Sequence, residues 1–146
     1  ETLREIGAEI TEVDFSLLYE IAELLYSGSW VAERYAAVAG LIEKNPEALH
    51  PTTRAVIEKA RQFSAADAFR HQYRLAEIRR EVTALLASVD LVCVPSIPRF
   101  VTLAEIAADP IAPNSELGTY TNFVNLLDMC GIAVPTGPRS DGRPGG

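Results

Sequence analysis

The chain has 146 residues, of which 48% are hydrophobic and 23% charged, the balance of a folded globular domain and not of a disordered segment. A net charge of -7, with two lysines (Lys44 and Lys59) and eleven dispersed arginines, excludes a phosphate-binding surface and so a nucleic-acid partner. No apolar run approaches the roughly 20 residues that a membrane-spanning helix requires.

The opening ETLREIG has helical spacing closed by Gly7, and AEITEVDF at 8–15 is expected to be a strand. Residues 15–26 set Leu18, Ile21, Ala22 and Leu25 on one face at helical period, and Ser27-Gly28-Ser29 breaks the pattern. A second helix is predicted from Trp30 to Lys44, stopping at Asn45-Pro46, and a short one over 51–62 with Pro51 at its start. The longest runs from Ser64 to Ser88. Ser64 and Asp67 have the spacing of a capping box, and Ala68, His71, Leu75, Ile78, Val82, Leu85 and Val89 form its apolar stripe.

The run DLVCVP at 90–95 is continuously apolar, as suits a strand buried on both faces, and IAVPTG at 132–137 repeats the pattern. Between them TLAEIAAD predicts a short helix and SELGTYTNFVNLLDMCG, 115–131, another. The order implies an α/β fold with a mixed or parallel sheet. Cys93 and Cys130 fall in apolar stretches with no paired spacing, so buried free thiols in a reducing cytoplasm are expected. The beginning at Glu1 inside a helical pattern and the ending in PRSDGRPGG suggest a segment of a longer chain.

No complete catalytic set is legible. His50 precedes Pro51, where it suits a helix cap; His71, on the apolar stripe, reads as a hydrogen-bonded core histidine. Ser27-Gly28-Ser29 reads as a turn between helices and not as a nucleophile loop. Lys44 and Lys59 have polar neighbours unsuited to a general base. Arg34 differs: it shares its helix face with Val31, Tyr35, Val38 and Leu41 or Ile42. A guanidinium there needs an anion, either a protein carboxylate or a ligand's. The turn brings Tyr26 within reach of it, and a phenol beside a guanidinium makes a carboxylate clamp.

Four separated motifs, LLYSGSWVAERYAAV (24–38), HPTTRAVIEKARQFSAADAFRHQYRLAEIRR (50–80), LVCVPSIP (91–98) and GTYTNFVNLLDMCGIAVPTG (118–137), resemble the amidase-signature superfamily and, within it, the allophanate hydrolases. The resemblance implies a large mixed β-sheet surrounded by helices, of which residues 1–146 are a partial, helix-rich amidase domain. It implies a cofactor-free hydrolysis of allophanate (N-carboxyurea) to ammonia and carbon dioxide, in a cytoplasmic enzyme that is a homodimer at full length. The family's serine, cis-serine and lysine lie in a region N-terminal to these motifs, so this segment holds no catalytic residue. What carries over is substrate binding: the tyrosine of LLY and the arginine of WVAER match Tyr26 and Arg34. Many general amidases have glycine and proline where this sequence has Asp128 and Cys130; aspartate at the first position is common in allophanate hydrolases. Thr121 and Asn125, at i and i+4, are expected either to support the pocket or to cap the helix. Another amidase-signature hydrolase, or a helical interaction module built on the 64–88 stripe, are the alternative readings.

Overall fold

The computed structural model describes residues 2–146, Thr2 by its backbone alone. Eight α-helices are formed there: α1 Thr2–Glu5, α2 Ser16–Ser27, α3 Trp30–Lys44, α4 Pro51–Glu58, α5 Ala65–Leu86, α6 Leu103–Ala108, α7 Ala112–Leu117 and α8 Phe123–Leu126. Two 3-10 turns, Pro46–Ala48 and Lys59–Gln62, flank α4. None of the helices among the described residues is long and apolar enough to cross a membrane.

Apolar periodicity determines the centre of the molecule. Leu18, Ile21, Ala22 and Leu25 of α2 are buried against Leu75, Ile78 and Val82 of α5 and against Phe123 and Leu126 of α8. Leu18, Ile21 and Ile78 have no exposed surface at all. Burying side chains of this size stabilises the fold by about 1.5–3 kcal/mol each. A bidentate ion pair ties the same two helices at the edge of this core. Arg74 of α5 donates through Nε and a terminal nitrogen to both oxygens of Glu20 on α2, at 2.6 and 2.8 Å. The Arg74 guanidinium holds the Glu20 carboxyl below the usual carboxylate range.

Local signals set the helix ends. Ser64 Oγ accepts from the Asp67 N–H at 3.2 Å while the Asp67 carboxylate accepts from the Ser64 N–H at 2.8 Å, completing the capping box that the sequence predicts. His50 Nδ1 accepts from the Thr52 N–H at 3.3 Å and caps α4, with Pro51 at the first helical position. α3 buries Val31 and Ile42, so the second of the two positions offered by the spacing is the inward one and Leu41 is exposed.

Three expectations need correction. Residues 8–15, 90–95 and 132–135 run without helix, but no ladder joins them; the one β contact among the described residues is an isolated bridge between Thr136 and Gly145. A strand satisfies its backbone groups only through a neighbouring strand, and none is supplied here. Cys93 and Cys130 are free but exposed, while their neighbours Val92, Val94 and Met129 are half-buried. Finally, the helix expected over 115–131 is broken. α7 ends at Leu117, the Thr119 hydroxyl donates to the Glu116 carbonyl at 2.6 Å, and Asp128, at φ 58°, turns the chain out of the helical path beyond α8. Short polar side chains that bond the local backbone compete with a continuous helix.

Candidate functional site: a tyrosine–arginine pair beside a small cleft

The two helices that carry Tyr26 and Arg34 are separated by Gly28 and Ser29 alone. The Gly28 N–H still bonds the Leu24 carbonyl at 3.0 Å, but its ψ of -177° turns the chain out of the helix. A Cβ at Gly28 would stand 2.4 Å from that carbonyl oxygen, so the sharp turn is sterically available to glycine and closed to larger residues. Neither Ser27 nor Ser29 has the setting of an activated nucleophile. Ser27 is the exposed last residue of α2, and Ser29 is buried with its N–H donating to His71 Nδ1 at 3.0 Å and its hydroxyl 3.1 Å from the same nitrogen. His71 is thus a half-buried, hydrogen-bonded histidine of the helix packing.

This turn stacks the two residues singled out from the sequence. The Arg34 guanidinium carbon lies 4.6 Å from the centroid of the Tyr26 ring, close enough for attraction between the cation and the π face. Arg34 is half-buried and Tyr26 is 44% exposed. The ion pairs among the described residues engage Arg54, Arg70, Arg74, Arg99 and Arg139, and none engages Arg34. Nor does its guanidinium or the Tyr26 hydroxyl enter a hydrogen bond among those residues. No carboxylate of the described residues therefore occupies this cation; its five N–H donors are available to an outside anion.

Tyr26 also lines a cleft of about 290 Å³ between α2 and the α7–α8 region, with Tyr19, Ala22, Glu23, Ser27, Ser115, Thr119 and Asn122. The volume suits a small molecule. Tyr19 of this lining also belongs to an aromatic group in which Phe15 meets it edge-to-face at 4.7 Å and meets Phe123 likewise at 5.5 Å. Partial burial, with Tyr120 nearby, raises the Tyr19 phenol above its ordinary value, so it remains a donor at neutral pH. Thr121 and Asn125, weighed from the sequence as pocket support or as a helix cap, are exposed and outside this lining. The break after α7 rotates Thr119 and Asn122 to the cleft instead. A glycine near the start of the 115–131 pattern, Gly118, is the sequence signal for that break. The Asn122 amide folds over it, 2.4 Å from where a Cβ would stand. Among the described residues no group of His, Cys, Asp and Glu is arranged to hold a metal ion.

A profile of the family described as Amidase matches residues 1–146. The chain belongs to the amidase family. Urea amidolyases of Saccharomyces cerevisiae and of Lachancea kluyveri are each 45% identical to it over 148 aligned residues, covering 100% of this chain and 8% of the relative. The solved allophanate hydrolase of Kluyveromyces lactis superposes with a TM-score of 0.93 at 45% identity, over 99% of this chain and 24% of that one. The urea amidolyase of the same organism superposes equally well, with a TM-score of 0.93, over 9% of its length. This amidase chain thus spans a small part of each relative, and over that part it has the amidase-signature fold. A match along all 146 residues also sets aside the reading of a free-standing helical interaction module.

Proposed function

We propose that this chain is the substrate-recognition segment of an allophanate hydrolase, in which Arg34 and Tyr26 together bind the carboxylate of allophanate. Arg34 presents a planar fork of N–H donors that fits both carboxylate oxygens, and the Tyr26 hydroxyl adds a further donor. Urea has no carboxylate and gains nothing from this pair. Selection of the carboxylated urea over urea itself results from that difference. The observation that carries the reading is the Arg34 guanidinium stacked 4.6 Å from Tyr26 on a half-buried face with no acidic side chain of the described residues paired to it.

The chemistry belongs to residues outside this segment: a serine attacks the amide carbonyl as its proton passes through a second serine to a lysine base, ammonia leaves with that proton, and water then hydrolyses the acyl-enzyme, the carboxylated product breaking down to ammonia and carbon dioxide. The segment holds one end of the substrate so that the amide carbonyl is presented in a fixed orientation. In the complete domain the extended runs 90–95 and 132–135 are strands of the mixed sheet, paired with strands from the remainder of the domain, which accounts for apolar runs left open here. The complete enzyme, in this reading, is a cytoplasmic homodimer that needs no cofactor.

The test is steady-state kinetics of the full-length enzyme carrying this segment. Arg34→Lys keeps the charge and loses the fork; it is expected to raise KM for allophanate by about 10- to 100-fold, the scale of a charge-assisted hydrogen bond pair. Lys59→Ala, remote in sequence and exposed, serves as the control with unchanged kinetics. Normal KM in the arginine variant would dismiss the clamp.

A further inference from the structure

We infer that His71 is a positioning residue for the carboxylate clamp, fixing from α5 the two-residue joint at which Tyr26 and Arg34 meet. The inference rests on the carboxylate reading of that pair. Tyr26 is three residues before Ser29 and Arg34 five residues after it, so the direction of the chain at Ser29 determines how the guanidinium lies on the phenol ring. Ser29 stands at the start of α3, where a helix leaves its first N–H groups without intrahelical acceptors. Its N–H is held by His71 Nδ1 at 3.0 Å, across 42 residues of sequence, and its side chain is buried at 7% exposure.

A backbone N–H can only donate, so Nδ1 is an acceptor and the neutral ring carries its proton on Nε2. Phe63 sets the plane of that ring, its own ring meeting the imidazole edge-to-face at 5.8 Å and 73°. α5 in turn is locked to α2 by the buried Leu75, Ile78 and Val82 and by the Arg74–Glu20 fork. The clamp therefore has a rigid support behind it: α5 holds α2 through its core face and holds the head of α3 through one imidazole nitrogen. A side chain with no acceptor at this place leaves the Ser29 N–H buried and unmet, and the joint relaxes to find water.

The experiment is kinetics with allophanate in the full-length enzyme carrying this segment. His71→Ala is expected to raise KM at least about fivefold with kcat within about twofold, because the lost interaction serves binding and not the reacting bond. His71→Asn places a carboxamide oxygen where Nδ1 stood and is expected to restore KM to near the parent value. His71→Leu keeps the bulk but offers no acceptor and is expected to raise KM as the alanine variant does. Parent-like KM in His71→Leu or His71→Ala overturns the inference, as does an asparagine variant no better than alanine or a loss confined to kcat. Should His71→Ala fail to fold, the His71→Leu and His71→Asn pair decides it alone. Arg34→Lys separates the two levels. If its KM rises while the His71 variants match the parent, only the positioning role fails. If its KM is unchanged, the clamp reading itself fails.

Discussion

Alanine placed at Gly28 and at Gly40 should change stability in opposite directions, although both glycines belong to the same helical hairpin. At Gly28 an added Cβ lies 2.4 Å from the Leu24 carbonyl oxygen and 3.2 Å from its carbonyl carbon, both backbone atoms that cannot rotate away. Reaching an ordinary carbon–oxygen contact of about 3.3 Å means opening the α2–α3 joint by roughly 1 Å. Strain of that kind costs about 1–3 kcal/mol, and the smaller entropy of the unfolded alanine chain returns about 0.4–1 kcal/mol of it. Gly28→Ala should thus lose about 1–2 kcal/mol. Gly40 is within α3 with nothing within 4 Å of the added methyl, so helix propensity decides and alanine gains about 0.8–1 kcal/mol. Urea unfolding monitored by circular dichroism resolves a separation of this size, since each kcal/mol moves the midpoint by about 0.3–1 M. If both variants shift the same way, or if Gly28→Ala matches the parent, the steric account of the joint is wrong.

The packing and the caps lead to further expected outcomes. Ile78→Ala, at a fully buried site between α2 and α5, should cost about 2–5 kcal/mol, whereas Leu103→Ala, 89% exposed, should stay within about 0.5 kcal/mol; equal effects in the same unfolding assay would discount the core assignment. Ser64→Ala removes the acceptor for the Asp67 N–H and should destabilise by about 0.5–2 kcal/mol, with a parent-like midpoint arguing that the α5 cap is idle. Glu105 accepts from the Thr102 N–H and hydroxyl and, beyond them, from Arg99, which together lower its carboxyl to about 2 from an ordinary 4.5. Because the folded value is the lower one, its contribution is complete above about pH 4.5 and is lost as pH falls toward 2. A carbon-13 titration of the Glu105 carboxyl should show a midpoint well below 4.5; a midpoint at the ordinary value would mean that the α6 capping box and the Arg99 bridge are open in solution.

The parts of this structure that are legible in the sequence are those set by local periodicity and capping. The faces of α2 and α5, the Ser64–Asp67 box, the His50 cap and the stop at Asn45 each depend on side chains within one or two turns of one another. The nearness of Tyr26 to Arg34 is legible for the same reason, since only two residues separate their helices. The part proposed for them in substrate binding rests on resemblance, because spacing leaves the anion's origin open. The cleft wall is not legible: pairing Thr121 with Asn125, whether as pocket support or as a cap, presupposes an unbroken helix, but Thr119 bonds its own turn and the Asn122 amide covers Gly118, which brings Thr119 and Asn122 to the cleft. The apolar runs around Cys93 and Cys130 read as buried strands because apolar composition signals a covered segment, yet no strand pairs with them among the described residues. Sequence spacing likewise gives no sign that His71 reaches Ser29, a contact that depends on how α5 crosses the hairpin.

The most direct test of the carboxylate reading is a crystal structure of the full-length enzyme, inactivated at its nucleophile and bound to allophanate. The expected density places both carboxylate oxygens within about 3 Å of the Arg34 nitrogens, with the Tyr26 hydroxyl as an additional donor. A substrate whose carboxylate is held elsewhere, with Arg34 paired to an aspartate or glutamate of the enzyme, would contradict it.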